Sequence, residues 1–196
     1  MRFFNTYDDL KRYQCQNNLE EDYEINEGKN ELSTISEHTK LIIVGTYIPK
    51  ELLYFYTGKT SYIYDAIDSV FGTKTNYYKK MLYKTTDSEI KKELIRKIIE
   101  QLRTTPIAFL DISRFVLIKK GSKSDKDIKG CVLDKTTFEN IGKNVKVIAV
   151  SELAKEIMMN FLHTDSKYLK MFAGKSNEFP KGTSYKQNFI DEFKRL

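Results

Sequence analysis

Three short β-branched runs, separated by stretches of helical periodicity, constrain this chain more than any other feature. Lys40-Leu-Ile-Ile-Val-Gly-Thr46, Pro106-Ile-Ala-Phe-Leu-Asp-Ile112 and Val145-Lys-Val-Ile-Ala-Val150 are apolar at adjacent positions, the pattern of strands buried on both faces. Between the first two, Ile63, Ala66, Ile67, Val70 and Phe71 recur every three or four residues; Thr60 or Ser61 offers a cap and Gly72 a stop. Ile90, Leu94, Ile95, Ile98, Ile99 and Leu102 form one stripe on a longer helix that Asp87 can cap. Thr136 to Ile141 reads as a short helix, and Ser151 opens another through Leu153, Ile157, Met158 and Leu162. Tyr168 to Phe172 reads as a fourth strand, and the chain closes on a helix with Phe189, Ile190 and Phe193 along one face. Parallel strands need crossovers, and crossover helices pack on both faces of the sheet. The expected fold is therefore α/β, a three-layer α/β/α sandwich around a central, mostly parallel four-stranded sheet. Residues 40–196 are expected to form this domain and residues 1–39 an N-terminal extension, acidic over 17–37.

Composition narrows the class. With 196 residues, 13 Tyr and 12 Phe, the chain can bury a substantial core despite a mean hydropathy of -0.51, which excludes disorder throughout. Apolar runs such as Leu41 to Val44 are far too short for a membrane span, and acids interrupt the start where a signal peptide needs a continuous apolar stretch. A cytoplasmic monomer is expected. Cys15 and Cys131 form no CxxC pair, so neither a disulfide framework nor a zinc site is written here and both are expected to be free thiols. The net charge of +6 hides an asymmetry: residues 17–37 carry seven acids against Lys29, which leaves about +12 on the remainder. A surplus of that sign attracts phosphate, although lysine-rich surfaces also serve solubility.

In such folds the loops beyond the carboxyl ends of the strands build the site. Four segments are expected to meet there: Gly45 to Gly58, Asp111 to Asp127, Ser151, and Ala173 to Thr183. Gly58-Lys59-Thr60 and Gly174-Lys175-Ser176 imitate the end of a phosphate loop, but Leu53 and Leu169 stand where its first glycine belongs. There is no GxGxxG, HExxH or GxSxG, and His38 and His163 lack metal spacing, so no cofactor or metal is implied. Asp111 is an acid at the end of an apolar strand, placed either to bind loop amides or to act on substrate. The loop Lys119 to Ile128 is polar and basic, with Gly121 letting backbone amides approach a phosphate. Tyr54-Phe-Tyr-Thr-Gly58 brings aromatic rings that either stack on a base or fold onto the core.

Taken in order, Leu41-Ile-Ile-Val-Gly-Thr46, Phe55-Tyr-Thr-Gly58, Val70-Phe-Gly72, Ala108-Phe-Leu-Asp-Ile112 and Lys120-Gly-Ser-Lys-Ser-Asp125 resemble the uracil-DNA glycosylase superfamily. The nearest branch is that of the DNA-deoxyinosine or mismatch-type glycosylases, and the resemblance spans roughly residues 40–196. It implies base excision from DNA: a nucleotide is flipped out, its base stacks on an aromatic ring, and the N-glycosidic bond of a damaged base such as uracil or hypoxanthine is hydrolysed. On this reading Gly45, Thr46, Tyr47, Pro49, Phe55, Tyr56 and Gly58 form the base pocket, with Tyr47 or Tyr56 as the stacking ring. Lys59, Lys120, Ser122, Lys175, Ser176 and Asn177 hold phosphates. The branch carries His-Pro-x-Asn after its aromatic loop, where this chain reads Lys59-Thr-Ser-Tyr62. Ser61 or Asp111 is then the residue that positions the water. The alternative is a catalytically silent member that binds nucleic acid or a free base without cutting it.

Overall fold

The structure is a computed structural model that describes residues 1–30, 33–49, 54–55, 62–139, 141, 144–161, 167–168 and 183–196. It is a mixed α/β fold with two sheets where the sequence reading expects one. In chain order the elements are β1 (Arg2–Phe4), α1 (Tyr7–Gln16), β2 (Tyr23–Glu27), β3 (Leu41–Gly45), α2 (Ile63–Phe71), α3 (Thr75–Lys84), α4 (Ser88–Arg103) and β4 (Ile107–Asp111). β5 (Ser113–Lys119), β6 (Ile128–Leu133), α5 (Lys135–Glu139), β7 (Lys146–Ala149), α6 (Glu152–Phe161), β8 (Lys167–Tyr168) and α7 (Thr183–Phe193) follow.

The three β-branched runs become β4, β3 and β7, adjacent in that order and parallel. β8 adds a two-residue parallel pairing at the outer edge of β7; the rest of the strand expected there lies outside the described residues. Side chains alternate across this sheet, as the two-residue period of a strand requires. Leu41, Ile43, Ile107, Phe109 and Ile148 face a core built with α2, α4 and α7. Ile42, Val44, Ala108, Leu110 and Val147 face the other way, against α6 and a second sheet.

That second sheet corrects the expected sandwich. Its order is β1-β6-β5-β2, with β1 parallel to β6 and the other pairs antiparallel. Val116, Ile118, Cys131 and Leu133 cover the inner face of the parallel sheet, while Leu117 and Val132 turn outward to Leu10 of α1. One face of the parallel sheet thus carries helices and the other carries mainly strands. The stretch from Asp111 to Asp127, read as a loop, holds β5 and the turn that leads to β6. Residues 1–39, read as an extension, supply β1 and β2. The close fit appears at Gly28, whose N–H donates to the Arg114 carbonyl at 2.7 Å and where a Cβ would lie 2.4 Å from the Ser113 carbonyl oxygen.

Local signals are obeyed at the start of α4 and the end of α2, whereas α2 starts after Tyr62 with no side-chain cap rather than from a Thr60 or Ser61 cap. Asp87 Oδ1 accepts the amides of Glu89 and Ile90 at 2.8 and 3.0 Å and caps α4, and Gly72 ends α2 in the left-handed conformation with φ of 68°. Both cysteines are free; Cys131 is buried, which pushes its thiol up to about 11.

Candidate functional site

The carboxyl ends of β3, β4 and β7 and the β5–β6 turn meet at a small polar cluster. Gly45, the last residue of β3, lies opposite Asp111, the last of β4, and Thr46 follows. Thr46 is buried, and its Oγ1 donates to Asp125 Oδ2 at 2.8 Å. The Ser151 Oγ, just beyond β7, lies 2.8 Å from the same Thr46 oxygen and accepts the Ala154 amide at 3.0 Å as it caps α6. Either hydroxyl of the Thr46–Ser151 pair can donate to the other. Asp125 opens a 3-10 turn (Asp125–Asp127) between β5 and β6. Burial raises its carboxyl above the ordinary range, opposed by the hydroxyls of Thr46 and Ser151.

That shift has a sign. The folded state holds the Asp125 proton more tightly than the unfolded chain, so this group makes folding less favourable as pH rises from about 3.8 through its folded value. Asp125→Asn removes the effect. In urea titrations between pH 3 and 7, the stability of the native protein relative to Asp125→Asn is expected to decline as pH rises, then level; parallel curves would refute the assignment.

Asp111 is fully enclosed. Its Oδ2 accepts the Ile48 amide at 3.0 Å and the Lys29 amide at 3.4 Å. Asn30 clasps its backbone, accepting the Asp111 amide at 2.7 Å and donating to its carbonyl at 2.9 Å and to Asp134 Oδ2 at 2.7 Å. The carboxylate therefore ties the loop after β3 to the segment after β2.

The remaining expected residues divide. Tyr47 is buried over the inner core, with its hydroxyl 3.4 Å from the Ser122 carbonyl, and Pro49 is half-buried. Phe55 lies in the helical core, stacked on Phe109 at 6.0 Å and edge-on to Tyr54, with its carbonyl accepting the Tyr64 hydroxyl. The Lys120 ammonium is held on the carbonyls of Glu20 and Glu21 at 2.9 and 2.7 Å. Ser122 Oγ donates to Asp127 Oδ2 at 2.6 Å and accepts the Ser124 amide at 3.1 Å. Tyr56, Gly58, Lys59, Ser61, Lys175, Ser176 and Asn177 lie outside the described residues.

The sequence reading expects Ser151 and the segment that holds Asp125 to meet at the site but gives neither residue a role, although each carries a signal. Asp125 closes the Gly-Ser-Lys-Ser-Asp run and Ser151 is the first residue after the third apolar strand. A cavity of about 530 Å³ opens elsewhere, floored by Ile42 and Leu110 and bordered by Asn30, Ser36, Thr39 and Val145; Thr46, Tyr47 and Asp125 do not line it. Among the described residues no cluster of three or more His, Cys, Asp or Glu side chains suits a metal, and no helix is long and apolar enough to cross a membrane.

Parallel strands with a polar cluster at their carboxyl edge, backed by a mixed sheet, define a mixed α/β protein with its candidate site at that edge. Among solved structures the fold is similar to the solution NMR structure of a "putative Uracil DNA glycosylase" from Methanosarcina acetivorans. The TM-score is 0.54 at 14% identity, over 83% of this chain and 94% of that one, a likeness of fold. No protein-family model matches the sequence, and a search of curated proteins finds no match.

Proposed function

We propose that this protein is a DNA glycosylase-like N-glycosyl hydrolase that receives a flipped, damaged base, uracil or hypoxanthine, at the carboxyl edge of β3, β4 and β7. The observation that carries the reading is the convergence of Thr46, Ser151 and the Asp125 carboxyl at that edge, in a fold shared with the archaeal structure. Cleavage of an N-glycosidic bond leaves positive charge on the sugar and needs a water held in line. A carboxyl group at the edge supplies both negative charge and a proton acceptor. In this scheme Gly45 and Thr46 offer backbone contacts to the base, Tyr56 stacks on it, or Tyr47 does so by leaving the inner core in which it is buried, and Asp125 or Ser61 positions the water. Phe55, inside the core, supports the pocket from behind, and Asp111 holds the loop that forms it. Ser122, Lys59 and Lys175 to Asn177 contact the flanking phosphates, while Lys120 reaches them only by leaving the Glu20 and Glu21 carbonyls.

One observation favours a second reading, in which the site binds nucleic acid or a free base without cutting. Asp111, one of the two water-positioning candidates read from sequence, has no exposed surface. The two readings separate in one experiment. Duplexes carrying uracil, hypoxanthine or xanthine are incubated with the protein and treated with alkali, and binding is followed in parallel. Strand breaks that fall by about 10² or more in Asp125→Asn or Ser61→Ala support the hydrolase. Salt-sensitive binding with no breaks supports the silent binder, and absence of both overturns both.

A further inference from the structure

Helix α3 carries a stripe of exposed charge and aromatic surface, in which the Tyr77 ring meets Tyr78 edge-on at 5.5 Å. Lys74 at its N-cap, then Tyr77, Lys80, Met81 and Lys84 fall at intervals of three and four residues, so they share one face. All five are exposed, Tyr77 at 58%, and the helix contains no acid. Lys79, on the opposite face, is buried with its ammonium 5.9 Å from the centre of the Tyr64 ring in the first turn of α2. This places α3 beside the helix that the loop from β3 enters.

The neighbouring helix shows the contrast. On α4 the Lys92 ammonium pairs with Glu89 at 2.8 Å, Arg96 with Glu93 and Glu100 at 2.8 and 2.5 Å, and Lys97 with Glu93 at 3.6 Å. Lys74, Lys80 and Lys84 have no ion pair among the described residues. Helix stability does not explain Lys74 or Lys80 either, because a lysine at the N-cap opposes the helix dipole and Lys80 lies mid-helix; Lys84, in the last turn, complements the dipole. Unpaired ammonium groups interleaved with an exposed tyrosine match an anionic polymer with planar or sugar faces. From Lys74 to Lys84 the stripe runs about 15 Å, the axial length of about four nucleotides of one strand.

We infer that the exposed face of α3 is a contact surface for the sugar-phosphate backbone of duplex DNA, with Lys74, Lys80 and Lys84 on phosphates and Tyr77 against the sugars. This rests on the reading that the chain engages DNA. It adds a surface that the site loops do not include.

The test uses the full chain and an undamaged, fluorescently labelled 20-base-pair duplex, with affinity measured by anisotropy from 25 to 200 mM salt. A triple variant Lys74→Gln/Lys80→Gln/Lys84→Gln is compared with Lys91→Gln/Lys92→Gln/Lys97→Gln, which removes the same charge from α4. The α3 variant is expected to flatten the log-log salt slope by about 0.9 for each lost contact and to bind at least about tenfold more weakly at low salt. The α4 variant should stay near the native protein. Single variants Lys80→Gln, Lys84→Gln and Tyr77→Ala give the same direction if the triple fails to fold. Equal slopes for the native and α3 proteins overturn the surface, as do equal losses from both helices. A native protein that does not bind the duplex overturns the surface and the DNA reading together. Reduced slope in the α3 variant of a protein that cuts no damaged base keeps the surface and removes only the hydrolase.

Discussion

Phe109→Ala is expected to lower the unfolding free energy by about 3–5 kcal/mol, the largest effect of any single truncation considered for this protein. Phe109 sits in the middle of β4 with no exposed surface, and β3 flanks it on the sheet. Its ring stacks on Phe55 at 6.0 Å and meets Tyr64 at 5.7 Å, so it joins the parallel sheet, the first turn of α2 and the segment before that helix. Truncation removes the transfer free energy of a whole ring. It also leaves a cavity that a β-strand, fixed by hydrogen bonds on its paired side, cannot collapse into. Phe109→Leu should cost less, because it refills most of the volume. Urea titration followed by tyrosine fluorescence and far-ultraviolet circular dichroism checks both. A loss below about 1 kcal/mol for the alanine variant would mean that this core is far looser than the packing shown.

The second large effect concerns a charge. Asp111→Ala is expected to cost about 3 kcal/mol by stranding the Ile48 amide, a buried donor 3.0 Å from the carboxylate, and the more distant Lys29 amide. Asp111→Asn should recover much of the loss, since the amide oxygen can still accept from Ile48 while the charge is gone. Stability and activity then separate. If Asp111 acts only by holding the loop, the asparagine variant keeps most of its base-release activity, and the alanine variant loses activity in step with its loop. If the asparagine variant is as inactive as the alanine one while folding normally, Asp111 takes part in the chemistry and its enclosed position must open.

How much of this was legible beforehand varies with the range of the interaction involved. The parallel strands were readable because Leu41 to Gly45 and Ile107 to Asp111 are apolar on both faces, a demand that a half-exposed strand never makes. Caps were readable because they are local: Asp87, Gly72 and Ser151 act within four residues of themselves. The second sheet was not. Arg2–Phe4 and Tyr23–Glu27 are short and mixed in polarity, and they become strands by pairing with β6 and β5, far away in the chain, as Tyr23 with Lys119 and Arg2 with Gly130. β5 was hidden for a related reason. Only one residue, Ile112, separates it from β4, so the chain leaves one sheet and enters the other without a turn signal.

The candidate site divides in the same way. That an acid ends β4 and a hydroxyl residue follows β3 and β7 is plain in the sequence. That the acid among the hydroxyls is Asp125, while Asp111 is sealed beneath the loop, depends on the β5–β6 hairpin folding its turn over the parallel sheet. That Phe55 goes to the core rather than the edge depends on the space beside Phe109 and Tyr54.

Although it did not announce α1 or α3, the sequence by itself determined where the three adjacent parallel strands lie, where α4 starts and α2 stops, and which residue types stand at the ends of those strands. Those are set by periodicity and by hydrogen bonds between near neighbours. Only the tertiary structure decided that a second sheet covers one face, that Arg2–Phe4 and Tyr23–Glu27 are strands of it, and which of two carboxyl groups joins the polar cluster. Each of these is a choice of partner made across many tens of residues. It is governed by the apolar surface and hydrogen-bonding edges that remain open once the local structure has formed.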